Sequence, residues 1–203
     1  MNNSGDVNYA SIKSNIGELN KIVSIFEQSK PTKNWSKNDQ LAFWINAYNV
    51  FTIKLITDNY PLKSIQNLAG GKTWDIKRIK INGTIYSLND IENDIIRSRF
   101  KDARIHFALN CAAVSCPPLF NEAYRAEQLD SQLESQTKKF INNPKYQKLT
   151  SLKVTLSKIF DWYALDFGIK IDFLNKYSKI KIEYGATTVY NEYDWSLNDI
   201  KHK

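Results

Sequence analysis

The segment SKNDQLAFWINAYNVFTIKLITDNYP, residues 36–61, places the strongest constraint on the fold. It predicts a helix from about residue 37 to 58, capped by Ser36 or Asn34 and stopped before Pro61. Between Leu41 and Ile56 this helix is apolar nearly all round, so no single packing face can bury it. Cover is required on several sides, with Trp44, Ile45, Val50 and Ile53 mostly buried. Two asparagines interrupt the apolar surface: Asn46 and Asn49, three apart, lie near each other on one face, flanked by Trp44 and Tyr48. A buried amide is costly unless it is hydrogen-bonded. The pair therefore either knits a structural network or contributes to a polar site.

The rest of the chain supplies the cover. Residues 9–29 space Ile12, Ile16, Leu19, Ile22, Val23 and Phe26 at helical intervals. TWDIKRIKI and TIYSL flank Asn82-Gly83, a dipeptide suited to a tight hairpin turn. NDIENDIIRSRF predicts a short helix capped by Asn89 or Ser87, whose single acid Glu92 would ordinarily be solvated. RIHFALNCA reads as a buried strand, and AYRAEQLDSQLESQTKKFINN as an amphipathic helix with Leu129, Leu133 and Phe140 inward. KVTLSKIFDWYALDFG gives a short strand and then a helix ending at Gly168. IDFLNKYS is a further helix, and the tail KIEYGATTVYNEYDWSLND is strand and turn. Disorder is expected only in the terminal MNNSGD and KHK. Helices and short strands are mixed without regular alternation, which predicts one α+β domain over residues 1–203. Its expected architecture is a buried central helix packed against a small, mainly antiparallel sheet, with further helices around it.

Charge excludes less than it suggests. The net charge of +7 comes from 28 Lys and Arg against 21 Asp and Glu. The lysines are spread singly, with no arm or stripe of the kind a nucleic-acid binder uses. A solvated basic surface is the better reading, and no nucleic-acid partner is expected. No run of 18 apolar residues exists, so no membrane span is expected. No signal segment is visible at the N-terminus.

The side chains able to do chemistry are concentrated. RIHFALNCAAVSCPPLF, residues 104–120, holds both cysteines and one of the two histidines. A strand over 105–111 would put His106 and Asn110 on one face and Cys111 on the other. The Pro117-Pro118 turn could then return Cys116 toward His106. A Cys–His pair supports nucleophilic catalysis, because histidine takes the thiol proton and stabilises the thiolate. Three other readings stand beside it: a Cys111–Cys116 disulfide, cysteines as core residues, and a satisfied core histidine. Cys-x4-Cys without a second cluster is a poor zinc pattern, so no metal is assigned, and no motif calls for a cofactor. The acidic, aromatic segments FDWYALDFG and NEYDWSLN read as core rather than as a substrate platform. Asp161 and Asp166 within them do not share a helical face closely.

AFWINAYNVFTIKLI, YSLNDIENDIIR, ARIHFALNCAAVSCPPL and NEYDWSLND, in that order, resemble the domain of unknown function 547 family over roughly residues 35–200. The resemblance implies no agreed biochemical activity. It implies a bacterial, often exported protein, and in some eukaryotes the domain accompanies glutaredoxin-like or DEP domains. In the family LNDIE is often followed by histidine, where this chain has Asn93, which weakens any scheme needing a second histidine. The order of FWINAYN and IHFALN is also similar to the nucleophile helix and histidine strand of transglutaminase-like enzymes, with Asn46 where a nucleophile would stand.

Two functions from different classes follow. One is a thiol-dependent hydrolase or acyl transferase, with Cys116 as nucleophile and His106 as base. Asn46 or Glu92 would orient the imidazole, and Asn110 or backbone N–H groups would stabilise an oxyanion, in a site also lined by Trp44, Tyr48 and Cys111. The other is a non-catalytic exported binding or structural module with a Cys111–Cys116 disulfide. The partner in either case is a small molecule or peptide of unspecified chemistry, and an extracytoplasmic location is favoured.

Overall fold

The computed structural model describes residues 1, 2, 4–29 and 31–202. The long apolar helix forms as α3, Lys37–Asn59. Its start is a capping box in which Ser36 Oγ accepts the Asp39 amide and Asp39 accepts the Ser36 amide, satisfying two otherwise orphaned donors. Trp44 and Ile45 are buried at 4% and 0% exposure, whereas Val50 and Ile53 are half-buried at the cluster's edge.

Helices cover α3 from several directions. The segment 9–29 divides into α1, Tyr9–Ser14, and α2, Ile16–Gln28, both packed on α3. The hairpin forms with strands β1, Ile79–Ile81, and β2, Thr84–Tyr86, joined through Asn82-Gly83. It packs on α2, and Tyr86 meets Trp44 edge-on at 5.4 Å. The part of TWDIKRIKI before Ile79 is a 3-10 turn and loop rather than strand. Asp90–Arg97 is a π-helix that runs into the short α4, Ser98–Phe100. Ser87, rather than Asn89, caps it, exchanging hydrogen bonds with Asp90 in both directions.

The remaining elements are α5, Leu129–Ile141; β3, Lys148–Leu149; β4, Lys153–Leu156; α6, Ile159–Trp162; α7, Lys170–Tyr177; and β5, Thr187–Tyr190. Strand β4 pairs antiparallel with β3 and parallel with β5. The fold is α+β as expected, with two small sheets where one was expected. The central helix is covered mainly by helices, and the three-stranded sheet packs under a second apolar cluster.

Residues 103–109 tie the two clusters together. The expected strand here is instead a 3-10 turn, Ala103–Phe107, begun by Asp102 capping the Arg104 amide. Ile105, Ala108 and Leu109 enter the cluster around α3. Phe107 enters the other, meeting Phe140, Phe160, Phe167 and Phe173. A continuous apolar run does not distinguish a strand from a segment buried on all sides. Here the run serves two cores, and a pleated strand offers its neighbours only two faces.

The N-terminal segment is ordered where it is described, against expectation. Asn2 Oδ1 accepts the amides of Ser4 and Asp6, and Val7 bridges to Asp199. Gly5, at φ 81°, passes so close to Pro118 that an added Cβ would lie 2.6 Å from the proline ring. Asn3 and Lys203, within the two expected disordered ends, lie outside the described residues.

Both helix asparagines are spent on neighbouring backbone. Asn46 Nδ2 donates to the Tyr124 carbonyl and its Oδ1 accepts the Tyr124 amide, at 2.8 and 2.9 Å. Asn49 treats residues 108 and 110 the same way, donating to the Ala108 carbonyl and accepting the Asn110 amide, both at 2.9 Å. Asn49→Ala should therefore cost about 2–3 kcal/mol in urea unfolding, because it strands two buried backbone groups. Asn46→Ala, at a half-buried position, should cost less.

Candidate functional site

A cleft of about 340 Å³ opens along the seam between the two clusters. One side carries Tyr48 from α3 and Glu92 from the π-helix. The other carries Ile159, Trp162 and Tyr163, from α6 and the residue after it. Trp74, Tyr193 and Trp195 frame it, and His106, Cys111, Cys116 and Pro117 complete the wall.

The sulfurs are joined: Cys111 and Cys116 form a disulfide, and no free cysteine remains. The loop between them is held at both ends. Asn110 Nδ2 donates to the Pro117 carbonyl at 2.8 Å, while its Oδ1 accepts the Ala112 amide and the Asn198 side chain. The C-terminal segment then lies alongside, with Val114 and Ser115 amides donating to the Ser196 and Asp194 carbonyls and the Asn198 amide donating to Ala112. That pairing carries Tyr193 to the bridge. Its hydroxyl lies 3.2 Å from Cys111 Sγ and 3.3 Å from Cys116 Sγ. The Cys111 amide points at Cys116 Sγ from 2.9 Å.

His106 is buried, at 2% side-chain exposure, and its Nε2 lies 2.7 Å from Asp166 Oδ2. Its ring stacks on Tyr163 with centroids 4.0 Å apart. Arg97 grips the same carboxylate through Nε and Nη2 and lies over the Tyr163 ring. Arg97, with help from His106, holds the Asp166 carboxyl below its usual range, against partial burial. Burial pushes the imidazole down to about 4, against the pull of Asp166. At neutral pH the pair is a carboxylate accepting from a neutral imidazole, which leaves Nδ1 unprotonated.

Glu92 is buried at 8% exposure, contrary to the solvated position expected of it. Tyr163 donates to its Oε1 at 2.7 Å, and the Tyr48 hydroxyl also bonds to it. Desolvation raises its pKa; the two phenols and the nearby Arg97 offset this in part. The cleft therefore joins a reluctant carboxylate, protonated phenols and a neutral imidazole to aromatic walls.

Several assigned roles do not fit this geometry. Asp166, not Asn46 or Glu92, orients the imidazole. Asn46 faces a different hollow, beside Trp35, Phe43 and Tyr124. Trp44 is core, packed between Phe43 and Tyr86. Asn110 is buried, braces the bridge loop through its amide and does not line the cleft where an oxyanion would form. Cys116 bears no thiol while bridged, so nucleophilic chemistry requires reduction first. His106, Glu92, Tyr48, Cys111 and Cys116 do share the cleft. Asp166, Tyr163, Tyr193 and the three tryptophans were missed, although FDWYALDFG and NEYDWSLN already set aside an acid and rings. Phe160 and Phe167 from the former are core as expected, whereas Trp162 is 48% exposed.

His106 makes the fold sensitive to acid. Its folded pKa of about 4 lies below the ordinary 6.5, so as pH falls the unfolded chain takes up a proton first. Its contribution is complete above about pH 6.5 and drains away toward pH 4. Between pH 7 and 5 the wild type should lose about 2 kcal/mol more than His106→Gln in urea unfolding.

Among the described residues no helix is long and apolar enough to cross a membrane. No curated protein and no solved structure matches the chain. The likeness to transglutaminase-like enzymes is not borne out, since His106 begins no strand and Asn46 faces away from the cleft. One family model does match, described as "Protein of unknown function, DUF547", over residues 32–141. That stretch includes Glu92, His106 and both cysteines but stops short of Asp166 and Tyr193. It spans more than half of the 203 residues, and the chain belongs to the DUF547 family.

Proposed function

We propose that the cleft is a binding site for a small organic molecule with a flat or ring-shaped face, and that in the bridged state the protein binds without catalysing. The observation that carries this reading is the lining. Trp74, Trp162 and Trp195 stand around an opening whose interior holds Glu92, Tyr48 and Tyr163. Trp162 is left 48% exposed there although burying an indole would be favourable. Aromatic walls with a few convergent polar groups are what a small-ligand site requires. The indoles take the ring face, and the Glu92–phenol cluster takes a hydrogen-bonding edge. A bridged cysteine pair suits an oxidising, extracytoplasmic setting.

A second reading has one specific observation in its favour. The Asp166–His106 pair has the carboxylate–imidazole arrangement that orients a general base, and His106 lines the cleft with Cys116. On reduction, Cys116 would be the nucleophile of a thiol-dependent hydrolase or acyl transferase.

Ligand-observed NMR with a library of small ring compounds, on the oxidised protein, tests the first reading. Hits should quench tryptophan fluorescence and bind at least tenfold more weakly to Trp162→Ala, with Glu92→Gln shifting the preference among them. Failure of every compound to bind, or binding indifferent to Trp162→Ala, overturns it. Turnover of model thioesters by reduced protein only, lost in Cys116→Ala, would establish the second reading instead.

A further inference from the structure

We propose that the Cys111–Cys116 bridge is a thiol–disulfide exchange centre, attacked from the cleft at Cys111 Sγ by a small organic thiol. This goes beyond the ring-binding reading and does not depend on it. Three features of the geometry point the same way.

The first is access. Both cysteines line the cleft, but Cys111 is half-buried whereas Cys116 is only 3% exposed. An incoming thiolate therefore meets Cys111 first, and exchange depends on which sulfur can be reached.

The second is the leaving group. Attack on Cys111 forms a bond between the incoming sulfur and Cys111 Sγ and breaks the Cys111–Cys116 bond. The electron pair leaves on Cys116 Sγ as a thiolate. That sulfur already has two donors aimed at it, the Cys111 amide at 2.9 Å and the Tyr193 hydroxyl at 3.3 Å. Donors fixed before charge develops stabilise it without reorganisation, and lowering the leaving thiol's pKa speeds the exchange. Burial raises the Tyr193 pKa, so the hydroxyl keeps its proton and remains a donor. Attack on Cys116 would instead expel Cys111, for which Tyr193 at 3.2 Å is the neighbouring donor.

The third is rigidity. The bridge loop is fastened by Asn110 to Pro117 and by the backbone pairing of 112–115 with 194–198. Those fastenings do not involve sulfur, so Cys116 stays among its donors after the bridge opens. A second thiolate then attacks the incoming sulfur of the mixed disulfide, releasing the oxidised thiol dimer and leaving Cys111 as the second thiolate. Two thiols lose two electrons in all, and the two cysteines gain them and take up the protons. In reverse, Cys116 is the resolving thiolate for a mixed disulfide on Cys111.

Oxidised full-length protein is incubated with reduced glutathione without denaturant, quenched in acid and mapped by mass spectrometry. The bridge should open while the protein stays folded, with the glutathione adduct on Cys111. Tyr193→Phe, checked for folding by thermal unfolding, should open roughly fivefold to tenfold more slowly. In the reduced wild type, ultraviolet thiolate absorbance should place one thiol below the ordinary cysteine value of about 8.5, and Tyr193→Phe should raise it. A bridge that opens only in denaturant, an adduct on Cys116, or an unchanged Tyr193→Phe rate each overturns the proposal. Should Tyr193→Phe not fold, the position of the wild-type adduct decides it. None of these readouts needs the ring compounds, so loss of the binding reading leaves this proposal standing.

Discussion

The side-chain amide of Asn49 is the contact on which the rest of the site depends. Helix α3 is buried on several sides, so a polar group within it must find partners inside the protein. Asn49 finds them in the backbone of residues 108 and 110, which it holds as a neighbouring strand would. This fixes the exit of the 3-10 turn that carries His106 and the entrance of the loop that carries both cysteines. Asn110 continues the chain of amides to Pro117 and Asn198, and Asn198 accepts the Tyr9 hydroxyl. Helix, bridge loop, C-terminal segment and first helix are thus joined through side-chain amides, each using donor and acceptor together.

The cleft exists because the protein has two apolar clusters rather than one. The 3-10 turn and α5 belong to both: Leu129 and Leu133 lie in the first, Phe140 and Ile141 in the second. Elsewhere the clusters part, and aromatic and ionisable side chains fill the gap. Low dielectric then tunes them. Glu92 and the imidazole of His106 are both driven toward their neutral forms, while Asp166, beside Arg97, stays ionised. Three ionisable groups within one region are set differently by their surroundings, as functional sites require.

The fold was legible where the signal was local. The all-apolar centre of α3, the Asn82-Gly83 turn and the end of the 159–167 segment at Gly168 could be read directly. The buried strand could not, because period and length do not reveal that a segment serves two cores. The site was half legible. Rare residues, His106 and the cysteines, announced themselves through their clustering. Asp166 did not, since it lies 60 residues from His106 and looks like any surface acid. The two asparagines were recognised as needing partners, but sequence cannot say whether those are backbone or ligand. Glu92 misled because the amphipathic pattern around it is that of a solvated face; only the packing of Tyr48 and Tyr163 over it excludes water.

The pairing of residues 194–198 with the bridge loop also fixes an order in time. Tyr193 is made 77 residues after Cys116, so during synthesis both cysteines emerge well before the segment that later frames them. A loop of so few residues closes easily and adds only about 2 kcal/mol on the chain-entropy account. The sulfurs can therefore be joined on a nascent chain whose cleft does not yet exist. Docking of the last strand and its tail then places a phenol over a bond already made, and what began as a local knot becomes part of the cleft wall.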